Sequence, residues 1–154
     1  MSQQKILMVD DQPANLVSLE ALLSDLDCEL IKANSGEEAL RILFKEDISL
    51  VLLDVQMPGM DGFEVAELMR QRKDTQNIPI VFVTAISKED KYIFKGYQVG
   101  AVDYLFKPLD PMILQSKGGF FLRLDKQRRD LQNMLRQSQA HRAAYEAAKP
   151  KKTD

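Results

Sequence analysis

Short apolar runs alternate with amphipathic stretches along the first 124 residues of this 154-residue chain. Ile6-Leu7-Met8-Val9 is too short for a helix, ends in Asp10-Asp11 and reads as a buried strand. From Pro13 to Leu26, Leu16, Leu19, Leu22, Leu23 and Leu26 recur with the period of a helix packed on one face. Glu29 to Ala33 is a second short strand. Ser35, with Glu38 three residues later, opens a helix that Ala39, Ile42 and Leu43 continue. Ser49 to Asp54 is a near-continuous apolar run, as in a central parallel strand covered on both faces. Residues 55–60 form a loop, and Asp61 caps a helix through Phe63, Val65, Ala66, Leu68 and Met69. Pro79 to Thr84 is a fourth strand. Ser87 with Asp90 opens the next helix, and Gly100 ends it. Ala101 to Phe106 is a fifth strand, followed by Lys107-Pro108. Asp110-Pro111 supplies the N-cap and first position of a last helix.

Strand–helix alternation of this kind implies an α/β fold, a doubly wound five-stranded parallel sheet joined by right-handed crossovers. The order expected at this length is 2-1-3-4-5. The last helical pattern runs on to about Ala148, so the expected architecture includes an extended C-terminal helix. Phe121, Leu124, Leu131, Leu135 and Tyr145 fall near an a/d spacing, which Arg128, Ser138 and Arg142 interrupt. The extension reads either as a solvated basic helix or as a signalling helix that forms a homodimer. Gly118-Gly119 stands out inside it. Each glycine costs about 1 kcal/mol against alanine in a helix interior, so a weakened or kinked helix is expected there.

Charge divides the chain. Residues 125–154 carry eight basic and four acidic residues, a balance of +4, and residues 1–124 a balance of −6. The expected organisation is therefore a globular body, 1–124, and a basic helical extension with a frayed end, 125–154. An acidic body argues against direct nucleic-acid binding, because phosphate contacts need a basic surface. The single cysteine, Cys28, excludes an intrachain disulfide and fits a reducing compartment. No stretch approaches the ~20 apolar residues that span a bilayer, and no signal peptide is read at the N-terminus, so a cytoplasmic protein with no membrane partner is expected. His141 reads as a solvated helix residue.

The chemistry lies where the strands end. In an open parallel sheet the functional crevice lies beyond the carboxyl ends of the strands, near the switch in strand order. Strand 1 ends in Asp10-Asp11, strand 3 in Asp54 and strand 4 in Thr84, and Lys107 follows strand 5. Clustered carboxylates repel unless a cation sits between them. An oxygen-only ligand set selects a hard cation such as Mg²⁺. A lysine and a hydroxyl beside it suit the remaining oxygens of a phosphoryl group, and a carboxylate can itself be the nucleophile that forms an aspartyl phosphate. Taken alone, Asp10-Asp11 reads as a helix N-cap pair, and Tyr104 as a core aromatic. No P-loop or GxGxxG pattern follows strand 1, so nucleotide binding is unsupported.

Asp10-Asp11, then Leu52-Leu53-Asp54-Val55-Gln56-Met57-Pro58-Gly59-Met60-Asp61-Gly62, then Val83-Thr84-Ala85, then Tyr104-Leu105-Phe106-Lys107-Pro108-Leu109, in this order and spacing, resemble the receiver domain of two-component response regulators. The resemblance covers residues 5 to about 124. It implies that Asp54 is the phospho-acceptor and that Lys107 and Thr84 assist it. It also implies that Mg²⁺ is held by Asp11, Asp10 (mainly through water), Asp54 and the backbone carbonyl of Gln56. Thr84 would move toward the phosphoryl group and Tyr104 would follow, switching the face made by the fourth helix, fifth strand and last helix. Pro108 matches a proline that often follows a cis peptide in the family. The implied partners are a sensor histidine kinase or phosphotransfer protein, and an output domain absent from this chain. Such a domain is no enzyme beyond its own phosphorylation and dephosphorylation. The alternative is a phospho-independent interaction module on the same fold. An aspartate-nucleophile phosphohydrolase fits less well, because this chain has Asp-Asp-Gln where those enzymes have Asp-x-Asp.

Overall fold

A computed structural model describes residues 3–85, 90–101 and 103–150. The elements alternate as β1 (Lys5–Val9), α1 (Pro13–Leu23), β2 (Glu29–Ala33), α2 (Gly36–Lys45), β3 (Leu50–Leu53), α3 (Gly62–Gln71), β4 (Ile80–Thr84), α4 (Asp90–Gln98), β5 (Asp103–Phe106) and α5 (Pro111–Ala148). The strands form one five-stranded parallel sheet in the order β2-β1-β3-β4-β5, as the alternation predicts. Ser87, expected to open α4, and Val102, expected within the fifth strand, lie outside the described residues.

Side chains along each strand point alternately to the two faces. Leu7, Val9, Val51, Leu53, Ile80 and Phe82 join the α2 residues Ala39, Leu40 and Leu43 and the α3 residues Phe63, Val65, Ala66 and Met69 in one core. Ile6, Met8, Leu50, Leu52, Val81, Val83 and Leu105 join Leu16, Leu19 and Leu23 of α1 and Leu114, Phe121 and Leu122 of α5 in the other. Both faces are covered, which is why β1, β3 and β4 read as continuous apolar runs.

Local signals set the helix starts. Ser35 accepts from the Glu38 N–H at 3.1 Å, and Glu38 Oε2 reaches back to the Asn34 N–H at 3.0 Å. Asp61 accepts from the Glu64 N–H at 2.9 Å. The α1 N-cap, Gln12, caps nothing with its own side chain; Asp10 Oδ1 accepts the Gln12 N–H at 2.9 Å. Asp110 accepts from Met112 N–H at 2.9 Å at the start of α5.

α5 passes through Gly118 and Gly119 as helix, with no break. The reason is packing: a Cβ at Gly118 would lie 2.9 Å from Leu26 Cδ1 and 3.6 Å from Leu23 Cδ2. The missing side chain lets α5 sit close to α1, and this contact offsets the poor helix propensity of glycine.

The fold divides into two compact units, Met1–Leu122 and Arg123–Asp154. Within the second, Asp125 pairs with Arg128 at 2.9 Å and Arg129 at 2.7 Å, one helical turn away. Leu124, Leu131, Met134, Leu135 and Tyr145 are exposed there, as is His141. No helix among the described residues is long and apolar enough to cross a membrane.

Candidate functional site

Strand register brings the acids together. Val9 of β1 pairs with Leu53 of β3, so the next residue of each strand, Asp10 and Asp54, emerges side by side at the point where the strand order reverses. Their backbones are fixed by the sheet: Asp10 N–H donates to Ala33 at 3.1 Å, and Asp54 N–H donates to Val9 at 3.0 Å. One carboxylate oxygen from each of Asp10, Asp11 and Asp54 lies within 4.8 Å of the others. Asp10 and Asp54 are buried, and Asp11 is half-buried.

Lys107 reaches this cluster from the end of β5. Its Nζ lies 3.0 Å from Asp10 Oδ2 and 3.9 Å from Asp54 Oδ2. The Lys107 backbone N–H donates to the Thr84 carbonyl at 3.0 Å, which locks the ends of β4 and β5 together. The Lys107–Pro108 peptide is cis. Thr84 is 1% exposed, at the last position of β4. Gln56 is exposed on the loop after Asp54, and its backbone, with that of Val55, hydrogen-bonds the Asp54 carboxylate. Tyr104 stands apart from the cluster. It is buried in the core among Phe82, Tyr97 and Phe106.

The electrostatics of Asp54 are unusual. Burial pushes its carboxyl up from 3.8 to about 6; the Lys107 cation opposes this, Asp10 adds to it, and the backbone bonds from Gln56 and Val55 oppose it. Among the described residues the three carboxylates face one ammonium, that of Lys107, so they are short of positive charge. The donors are all hard oxygens within reach of one point. This donor set fits a hard divalent cation that prefers carboxylates and waters, Mg²⁺ being the type case.

Two residues bearing on the site were missed from sequence. Asn15, one turn into α1, donates from Nδ2 to Asp10 Oδ2 at 3.2 Å and helps hold that carboxylate. Gly62, at the start of α3, is where a Cβ would lie 2.9 Å from Val55 Cα and closer still to the Asp54 carbonyl. Only glycine lets α3 begin this close to the backbone of Asp54. The Asp61-Gly62 pair was a visible signal, since glycine at a helix start does not follow from helix propensity.

The comparisons agree with the geometry. The family described as the response regulator receiver domain matches residues 6–117. A probable cyclic di-GMP phosphodiesterase of Vibrio cholerae is 41% identical over 118 residues, covering 76% of this chain and 26% of that protein. The response regulator PleD of Caulobacter vibrioides is 40% identical over 110 residues, covering 71% of this chain and 24% of PleD. This chain thus spans about a quarter of the length of these two relatives. The solved structure of the chemotaxis response regulator CheY4 of Vibrio cholerae superposes with a TM-score of 0.71 at 29% identity, covering 78% of this chain and 99% of that one. With its sheet order, its acid cluster and this match, the chain belongs to the response regulator receiver domain family.

Proposed function

We propose that Asp54 accepts a phosphoryl group from a phosphohistidine of a sensor kinase or phosphotransfer protein. The observation that carries this reading is the convergence of three carboxylates within 4.8 Å, with the Lys107 ammonium 3.0 Å from one of them, at the crevice of the sheet. An Asp54 carboxylate oxygen attacks phosphorus, the phosphorus–nitrogen bond to the imidazole breaks, and the departing imidazole nitrogen takes a proton. The product is an acyl phosphate, which water later hydrolyses.

Each neighbour has a role in that step. Lys107 turns from Asp10 and Asp54 to a phosphoryl oxygen, because the new group carries about −1.5 to −2 charge and strong acceptors. Thr84 offers its hydroxyl to a second oxygen. Asp10 and Asp11, with Asp54 and the Gln56 carbonyl, would hold Mg²⁺. When bound, that ion neutralises charge on the carboxylates and on the transferring phosphoryl oxygens. Positioning and charge account for most of the catalysis such a transfer needs. The response is read at the face formed by α4, β5 and α5, where Tyr104 links β5 to α4. The charge pattern supports a body over 1–124 and an extension over 125–154. The exposed Leu131, Leu135 and Tyr145 of that extension, with Leu124 just before it, fit a homodimer through the last helix.

The test is labelling by a small-molecule phosphodonor, followed by peptide mapping by mass spectrometry. A Mg²⁺-dependent adduct on the Asp54 peptide is expected, and none in Asp54→Asn. An unlabelled protein favours a phospho-independent interaction module on this fold, and a label that survives Asp54→Asn overturns Asp54 as the acceptor.

A further inference from the structure

Gly96 lies inside α4, where glycine is the poorest helix former after proline. Its presence there has a steric reason. A Cβ built on it would lie 2.7 Å from Tyr104 Cζ and 2.9 Å from Cε2, and nearer still to the hydroxyl oxygen. Real Cβ atoms essentially never approach so closely. The phenol therefore occupies the space that any other residue at 96 would take.

Three aromatic rings surround the Tyr104 ring in this seat. Phe106 stacks on the Tyr104 ring at 5.5 Å and 7°, Phe82 lies 5.4 Å away, and Tyr97 meets it edge-on at 5.7 Å. A hydrogen bond joins the Gly96 backbone to the Tyr104 hydroxyl. The Gly96 carbonyl accepts the Ala101 N–H at 3.0 Å, which ties this turn of α4 to the chain entering β5. Tyr104 is 7% exposed in this arrangement.

We propose that Gly96 is the gate that admits the Tyr104 ring to its buried seat against α4. The absence of one methyl at position 96 decides whether β5 and α4 are coupled through that ring. Its regulatory meaning rests on the reading of Asp54 as phospho-acceptor; the gate itself does not. Alanine at 96 leaves the ring no seat, so Tyr104 is expelled toward solvent and α4 loses its contact with β5.

The test exploits a reversal of sign. In an ordinary helix interior Gly→Ala stabilises. Urea midpoints are measured for Gly96→Ala in three backgrounds: wild type, Tyr104→Phe and Tyr104→Val. The midpoint should fall in wild type, fall less beside Tyr104→Phe, and rise beside Tyr104→Val, where no ring needs the space. In 3-fluorotyrosine-labelled protein, the Tyr104 fluorine resonance, assigned by its loss in Tyr104→Phe, should become broadened by a soluble gadolinium chelate in Gly96→Ala. A midpoint that rises in all three backgrounds, or a Tyr104 signal that stays protected, overturns the gate. Should Gly96→Ala not fold, recovery of folding by added Tyr104→Val supports the gate, and failure of that double variant overturns it. Labelling of Asp54 is followed in parallel. An unlabelled wild type defeats the phospho-acceptor reading while the midpoints still decide the gate.

Discussion

Removing the negative charge of Asp54 should make the metal-free protein more stable, although the residue sits at the centre of the site. The folded carboxyl titrates at about 6, against 3.8 for the free group. The fold therefore holds the proton more tightly than the unfolded chain does. Below pH ~4 the group is protonated in both states and costs nothing. As pH rises from about 4 to 6 the unfolded chain gives up the proton first, and stability falls. Above about 6 the full penalty is present. Roughly two pH units at 1.36 kcal/mol each give about 3 kcal/mol as its upper size. Asp54→Asn imitates the neutral acid in shape and charge, so it should recover most of this at pH 8 and little at pH 4. The assay is urea unfolding of both proteins across pH 4–8 with a chelator present. Adding Mg²⁺ at pH 8 should raise the wild-type midpoint toward that of the variant and leave the variant nearly unmoved. A gain equal at pH 4 and pH 8 would trace to shape rather than charge. A variant less stable than wild type at pH 8 would refute the crowded-charge account of the site.

Other perturbations probe its supports. Lys107→Met should slow phosphoryl uptake by about 10²-fold, the usual effect of deleting one donor to a developing charge. It should also move the Asp54 titration above about 6, because Lys107 holds it down; a ¹³C carboxyl titration reads both directions. Gly62→Ala should destabilise by about 1–3 kcal/mol, since its Cβ meets backbone that cannot repack, as measured by urea unfolding. In α5, Gly119→Ala should stabilise by about 1 kcal/mol, the ordinary gain over glycine in a helix interior. Gly118→Ala should gain less, because its Cβ lies 2.9 Å from Leu26 Cδ1; equal gains would show that close α1–α5 packing does not explain this glycine.

What was legible in the sequence follows from which interactions are local. Buried parallel strands show as apolar runs because both faces are covered. A polar residue that ends such a run marks the crevice, and this is how Asp10, Asp54 and Thr84 stood out. The capping roles of Ser35 and Asp61 lie within four residues of their partners. Partnerships across the fold left no such mark. Arg70, a residue of α3 that the sequence does not single out, donates from its guanidinium to the carbonyls of Gln76 at 2.7 Å, Ile78 at 2.8 Å and Gly100 at 2.6 Å. Burial lowers its pKa. Gly118 reads as a weak point of its helix because its neighbours, Leu23 at the end of α1 and Leu26 in the turn after it, come from a distant part of the chain. Gly96 and Gly62 follow the same logic. A missing side chain gives no periodic signal, and only the fold shows what occupies the space.

The claim that most depends on the site acting as a unit concerns the adduct itself. ³¹P NMR of the labelled chain reads its bond type and its surroundings together. An acyl phosphate, labile in base, is expected, with a resonance that broadens when Mn²⁺ replaces Mg²⁺ and that never forms in Asp54→Asn. A phosphoester or phosphoramidate signal, or an acyl phosphate untouched by Mn²⁺, would contradict a phospho-accepting aspartate set against a cation held by Asp10 and Asp11.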